Sequence, residues 1–379
     1  MAKLGDIATY INGYAFKPED WSDEGVRIIR IQDLSGNSYQ TNRYNGPYAP
    51  KYEVNDGDVL ISWSASLGVY IWHGEKAVLN QHIFKVVFDK VEVDKSFFVH
   101  QVGEILEKAV ISAYGATMKH LTKPVFDALP FYLPPIDEQR RIASILDKVT
   151  DLIAKRRTQL EKLDLLVKSR FVEMFGDPVE NNFNWKTNCL KRVTKKIGSG
   201  ATPKGGKGSY QNEGISLIRS MNVHDSKFEY KDLAHINSMQ AEQLNNVIVE
   251  KYDVLINITG ASVARSCVVP ENVLPARVNQ HVSIIRCCDE QLNHIFVNCL
   301  FLNESYKRKL LSIGEAGGAT RQAITKQQLE DLIVILPPIE LQKQFASFVQ
   351  QTETTKSNIQ KSLETLETLK KALMQEYFA

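Results

Sequence analysis

The sequence predicts an α/β (α+β) protein with an internal repeat: two globular domains of short strands joined by two long antiparallel helices that form a coiled coil. Three observations predict it. The phrase LPPIDEQRRIAS at Leu133 returns as LPPIELQKQFAS at Leu336, an offset of 336 − 133 = 203 residues in a chain of 379. At each LPPI the texture turns from short β-branched and aromatic runs, broken by Gly, Asn and Pro, to apolar residues spaced by three and four. No Pro or Gly occurs from Asp137 to Phe175 or from Glu340 to Ala379, and about 40 residues of helix would span roughly 60 Å.

Before the first LPPI, the runs VRIIRI, DVLISW and HIFKVVF read as strands, as do DVLINI and HVSIIRC before the second. A helix or two is expected near KSFFVHQVGEILEKAVIS and near NHIFVNCLFLNESYKRKLLS. The prolines of each phrase mark the joint. Proline holds its predecessor extended, so Pro134-Pro135 ends the strand FYL, and Ile136 opens a helix with Asp137 and Glu138 in its positive first turn. Pro337-Pro338 repeats the arrangement with Glu340. The first helix has its apolar stripe at Ile142, Ile145, Val149, Leu152, Leu160, Leu163, Val167, Phe171 and Met174, with an interruption near Arg156. A single stripe cannot bury itself, and the available partner is the twin helix. The plainer alternative is that each helix only caps its own domain.

The repeat is a large one. Residues 115 to 149 match residues 318 to 352 at 13 of 35 positions, with Gly115-Ala116-Thr117 against Gly318-Ala319-Thr320 and Thr122-Lys123 against Thr325-Lys326. Upstream the correspondence continues with a drifting offset: GVRIIR at Gly25 with GISLIR at Gly214, DVLI at Asp58 with DVLI at Asp253, and NQH at Asn80 with NQH at Asn279. Insertions in surface loops produce such a drift. A period of this length excludes a solenoid.

Composition narrows the class. Apolar content of 43% and charge of 24% are those of a soluble globular chain, and no apolar run reaches the eighteen residues of a membrane span. The start, MAKLGDIATYINGYAF, lacks a secretory apolar core. Cys189, Cys267, Cys287, Cys288 and Cys299 are odd in number with no C-x-x-C spacing, which argues against zinc or a disulfide framework and fits a reducing cytoplasm. Net charge is 46 − 44 = +2, so the placement of charge decides, not its sum.

Two dissimilar globular regions, each followed by LPPI, a glutamine three residues on and a long helix, resemble the specificity subunit of type I restriction–modification systems over essentially the whole chain. The resemblance implies a first target recognition domain at 1–132, a first spacer helix at 133–176, a second recognition domain at 177–335 and a second spacer helix at 336–379. It also implies a non-catalytic subunit that reads an asymmetric, bipartite double-stranded DNA target. Two modification subunits would dock on it, with S-adenosylmethionine held there and no cofactor on this chain, and restriction/translocase subunits would join them. Two divergent domains on a rigid spacer are what an asymmetric split site requires. The alternative is a coiled-coil protein-binding scaffold without DNA recognition, which predicts no salt-sensitive DNA binding.

No catalytic or metal-ligating set is expected. LPPI superficially resembles the polar-Pro-Pro-aromatic motif of amino-methyltransferases, but Leu133 and Leu336 carry no polar group and Ile136 and Ile339 cannot stack on a base. GSGATPKGGKGSY fails as a phosphate loop in its spacing and in Gly208. Residues 189–207 hold Lys191, Arg192, Lys195, Lys196, Lys204 and Lys207 without an acid, and read as a flexible basic stretch suited to phosphates. The NQH triplets could read adenine, but their recurrence in both copies favours a shared structural role. Thr117 and Thr320 are expected as N-caps of short helices. The DNA-contact expectations are Arg30, Gln32, Arg43, Trp63, Lys119, Lys204, Lys207, Arg219, Asn222, Arg265, Arg321 and Gln322. The first spacer helix carries nine basic and seven acidic residues from Asp137 to Phe175, a pattern equally suited to a solvated face and to a docked partner.

Overall fold

A computed structural model describes residues 1–36, 40–64, 66–113, 122–203, 205–315 and 322–378. It divides into two units, Met1–Arg157 with Lys361–Ala379, and Thr158–Gln360. In chain order the first unit contains β1 (Ala2–Lys3), α1 (Leu4–Ile7), β2 (Thr9–Asn12), β3 (Val26–Ile29), α2 (Ile31–Leu34), β4 (Arg43–Tyr44), β5 (Glu53–Val54), β6 (Val59–Ser62), β7 (Gly68–Ile71), β8 (Ala77–Leu79), β9 (Ile83–Val87), α3 (Lys95–Ala113), α4 (Lys123–Asp127) and β10 (Pro130–Phe131). Helix α5 (Ile136–Phe175) begins in it. The second contains β11 (Lys186–Cys189), β12 (Thr194–Ser199), β13 (Ile215–Ile218), β14 (Val223–His224), β15 (Lys227–Phe228), β16 (Ala234–Ile236), α6 (Ser238–Glu242), β17 (Ile248–Val249), β18 (Val254–Asn257), β19 (Ser266–Val268), β20 (Ala276–Val278), β21 (Val282–Cys287), α7 (His294–Leu302), α8 (Glu304–Glu315), α9 (Lys326–Glu330) and β22 (Ile333–Leu336). Helix α10 (Ile339–Phe378) ends the chain.

The duplication is explicit in the sheets. The first unit has a four-stranded antiparallel sheet, β2-β9-β6-β7, and a second sheet, β4-β3-β8-β5, in which only β3 and β8 run parallel. The second unit repeats both, as β12-β21-β18-β19 and as β16-β13-β20-β17 with β13 and β20 parallel. The DVLI runs explain themselves here: β6 and β18 are inner strands whose four residues are all buried, so they carry a continuous apolar run instead of an alternating one. Their preceding aspartates close the turn that feeds the strand. Asp58 accepts the Asn55 N–H at 2.9 Å and Asp253 the Glu250 N–H at 2.7 Å. Each also holds a cation, Lys85 at 3.0 Å and Arg286 at 2.8 Å.

The long helices pair antiparallel within each unit. In the first, Arg141 near the start of α5 lies over the Tyr377 ring near the end of α10, while Arg157 bonds Glu367 at 2.6 Å. Ile142 and Leu146 enter the same core as Met374, and Phe97 meets Phe378 with ring centroids 5.5 Å apart. In the second unit Asp164 bonds Lys356 at 2.7 Å and Arg170 lies over Phe348. Phe171, Phe175, Phe296 and Phe345 there form one aromatic cluster in the core. The gap in the apolar stripe near Arg156 does not break α5, which runs for 40 residues.

The joint is built identically twice. Gln139 is 1% exposed; its Nε2 donates to the Pro134 carbonyl at 2.8 Å and its Oε1 accepts the Asp94 N–H at 2.9 Å. Gln342, fully buried, donates to Pro337 at 2.8 Å and accepts from Asn293 at 2.9 Å. The glutamine of the repeated phrase thus stitches the helix start to the residue that opens α3 or α7.

Two expectations change and one becomes definite. The second helical run is two helices, because Asn303 leaves α7 in an extended conformation (ψ 138) and its side chain then accepts the Ser305 N–H to begin α8. Helices α4 and α9 start after Thr122 and Thr325, so Thr117 and Thr320, which lie outside the described residues, are not their caps; Thr325 accepts the Gln328 N–H as an N-cap does. The basic stretch is largely strand and turn, and two of its lysines are paired, Lys191 with Glu330 at 3.0 Å and Lys195 with Asp289 at 2.6 Å. Acids distant in sequence therefore balance it.

Two half-buried histidines make stability pH-dependent. Burial holds His294, stacked on Tyr252, below the ordinary histidine range despite Asp289; burial does the same for His100 against the opposing bond to Asp147. A lowered folded pKa means that the unfolded chain binds the extra proton first, so stability rises with pH in that window. Unfolding free energy is expected to decline as pH falls below about 6.5, and to decline less in His294→Gln. Urea unfolding across mildly acidic pH checks this; an unchanged midpoint defeats it.

Candidate nucleic-acid interface

In each unit the chain leaves the parallel strand pair at the same end. Past β3 comes Arg30 and past β8 comes Asn80-Gln81-His82; past β13 comes Arg219 and past β20 comes Asn279-Gln280-His281. The asparagines do the same work, their N–H groups donating to Ile29 and Ile218 at 3.1 Å each. Glycine crosses closely above. A Cβ at Gly13 would collide with the Leu79 and Asn80 carbonyls, and one at Gly200 with the Val278 carbonyl, so only glycine permits this approach. The expected structural role of NQH holds for its asparagine and backbone.

Arg30 and Arg219 occupy equivalent places. Each precedes a short turn whose fourth residue closes back on it: Asp33 accepts the Arg30 N–H at 2.8 Å, and Asn222 accepts the Arg219 N–H at 3.1 Å. Each guanidinium lies over a ring, Trp21 or Tyr210, 5.4 Å from its centroid, and each Nε is buried without a partner among the described residues. The planar group is thereby pre-oriented at the end of the sheet.

The remaining expectations divide by burial and partner. Asn222 is fully buried, and its amide donates to Glu229 and Lys231 carbonyls at 2.9 and 3.4 Å; it holds its loop and cannot reach a groove. Arg43 is engaged by Glu75 at 2.8 Å and by the Gly25 carbonyl at 2.9 Å. Gln32 is exposed on α2. Arg265 is half-buried beside His224, and Gln322 bonds Glu315 at 2.9 Å. Trp63 stacks on Phe84 with centroids 5.7 Å apart. Lys207 falls in the turn Gly206–Ser209. Lys119, Lys204 and Arg321 lie outside the described residues.

Sequence reasoning missed a cleft of about 500 Å³ in the first unit, bordered by Tyr14, Ala15, Tyr52, Trp63, Gln81 and His82. The signal available was the paired glycine loop, NGYA at Asn12 against SGAT at Ser199, whose residues differ immediately after the shared glycine.

One cluster resembles hydrolytic machinery and fails as such. Ser96 and His100 both bond the same Asp147 oxygen, at 2.6 and 2.8 Å, so the histidine is held by the carboxylate and not against the serine. Among the described residues no group of three or more His, Cys, Asp or Glu is arranged to hold a metal ion, and no helix is long and apolar enough to cross a membrane.

Comparison with known proteins agrees with this architecture. The family model described as "Type I restriction modification DNA specificity domain" matches residues 1–163 and 182–368. The chain is 24% identical to the type I restriction enzyme EcoBI specificity subunit of Escherichia coli, over 95% of this chain and 80% of that one. It is also 24% identical to the putative type I restriction enzyme MjaX specificity subunit of Methanocaldococcus jannaschii, over 99% and 91%. Among solved structures, the type I restriction–modification S subunit from M. genitalium superposes with a TM-score of 0.62 at 13% identity, covering 100% of this chain and 95% of that one. A chain from a study of complex assembly in a type I system superposes at 0.59 with 16% identity, covering 100% and 96%. With the same two-sheet domain built twice, each time leading into a long helix through a buried glutamine, the chain belongs to the type I restriction–modification DNA specificity family, as a specificity subunit.

Proposed function

We propose that this chain is the non-catalytic DNA-reading subunit of its complex. Its two recognition domains, 1–132 and 177–335, each read one half of an asymmetric bipartite target in double-stranded DNA, and its spacer helices, 133–176 and 336–379, set the separation and dock two modification subunits. Those subunits hold S-adenosylmethionine and methylate adenine, restriction/translocase subunits join them, and the complex works in the cytoplasm. The observation that carries this reading is one backbone frame used twice with different side chains around it, including Ala15 against Thr202. Groups common to both copies and alike in their surroundings, such as Arg30 and Arg219, suit phosphates, which are the same in every sequence; groups that differ in identity or in their hydrogen-bonding neighbours suit bases.

The test is methylation with labelled S-adenosylmethionine. The purified chain alone is expected to transfer nothing; co-expressed with its modification subunits, it should direct methylation to one asymmetric split sequence, with affinity falling steeply as salt rises. Transfer by the chain alone, or salt-insensitive binding, overturns the reading.

A further inference from the structure

We infer that the cleft of the first unit reads an adenine in its half of the target, with Gln81 contacting the base edge and Tyr14 packing against it. This rests on the functional reading above and assigns it to particular residues.

The two units share a frame but differ in how its polar groups are satisfied. In the second, Gln280 Oε1 accepts from Thr202 Oγ1 at 2.5 Å, and His281 Nδ1 pairs with Thr259 Oγ1 at 2.5 Å. Both groups therefore have protein partners, although Gln280 itself is exposed. In the first, Gln81 faces His82 Nε2 at 3.2 Å, as Gln280 faces His281 at 3.1 Å, but Ala15 stands where Thr202 stands and brings no hydroxyl. His82 Nδ1 is buried with no partner among the described residues. Buried polar atoms are nearly always paired, and an exception at the floor of a cleft points to a ligand that completes it.

The walls indicate the ligand's chemistry. Tyr14 is 40% exposed, yet its ring is fixed edge-on against Phe16 and Tyr52, with centroids at 4.9 and 5.7 Å. None of the lining side chains is Lys, Arg, Asp or Glu, so the cleft is not built for a phosphate or a cation. A neutral, planar, hydrogen-bonding group between rigid aromatic surfaces is a base edge. The glutamine amide offers one donor and one acceptor side by side, the complement of adenine N7 and N6 in the major groove.

The experiment maps methylated adenines produced by the full modification complex carrying Gln81→Ala, Gln81→Glu or Tyr14→Ala. Gln81→Ala is expected to lower the preference for adenine about tenfold or more at one position of one half-site. Gln81→Glu should shift that position toward cytosine, whose amino group a carboxylate accepts. Tyr14→Ala should relax the same position. The other half-site and the spacing stay unchanged, which also shows that each variant has folded and assembled. An unaltered target in all three variants, or a uniform decline over every site with no positional change, overturns the inference. If the parent complex methylates no bipartite target, it is the functional reading that fails, and this inference with it.

Discussion

Replacing Arg286 with alanine is expected to lower the unfolding free energy of the second unit by about 3–5 kcal/mol, because it strands a buried charge. The Asp253 side chain is fully buried, and Arg286 grips both of its oxygens, Nε at 2.8 Å and Nη2 at 2.9 Å, while also donating to the Ile248 carbonyl at 2.9 Å. That bidentate bond raises the arginine's pKa, with Glu250 adding to the pull. Asp253 sits at the entry to β18, one of the two inner strands of its sheet, so the penalty falls on a central element. Guanidinium titration of the variant measures it. Asp253→Asn in the Arg286→Ala background should recover part of the loss, since it removes the unpaired charge while leaving an acceptor for the Glu250 N–H. A loss below about 1 kcal/mol, the size of an exposed ion pair, would mean the charge is reached by water.

The repeat was readable because packing constrains it. DVLI recurs because an inner strand needs apolar side chains on both faces and a carboxylate to close its turn, and LPPI-x-x-Q recurs because a strand-to-helix joint needs proline and one buried amide. Helix continuity followed from the absence of Pro and Gly. The run allows one helix or two, and the point of division is not legible because Asn303 lies within a continuing apolar rhythm; its extended backbone separates α7 from α8. The lysines of residues 189–207 look uncompensated in sequence because their acids, Asp289 and Glu330, are 94 and 139 residues away from Lys195 and Lys191.

The interface was less legible, since a residue type says what a side chain can contact but not whether it is free to do so. Arg30 and Arg219, both among the expected contacts, stand just past the matching strands β3 and β13. Asn222 is of a type that can read a base, yet its amide is consumed by the loop it closes. Tyr14 and Gln81 were passed over or read as structural, because the identity of NQH in both copies conceals the neighbour that differs: Thr202 in one unit, Ala15 in the other. Comparison of the copies finds the frame; the partners of each copied residue separate frame from reader.

The joint glutamines give the second large effect. Gln342→Ala removes a side chain that accepts the Asn293 N–H and donates to the Pro337 and Gln291 carbonyls, at 2.9, 2.8 and 3.1 Å. With water excluded, the orphaned groups should cost about 2–4 kcal/mol. Gln139→Ala, which loses the Asp94 and Pro134 bonds, should cost a similar amount in the first unit. Gln342→Glu distinguishes hydrogen bonding from mere volume. The glutamate fills the same space but, when ionised, cannot donate to either carbonyl and buries a charge, so it should be worse near neutral pH and improve in mild acid as the carboxyl takes up a proton. Denaturant titrations at the two pH values decide the matter. Equal stability of Gln342→Glu at both would assign the repeated geometry of the joint to packing around Phe345 and Ala346, not to the amide.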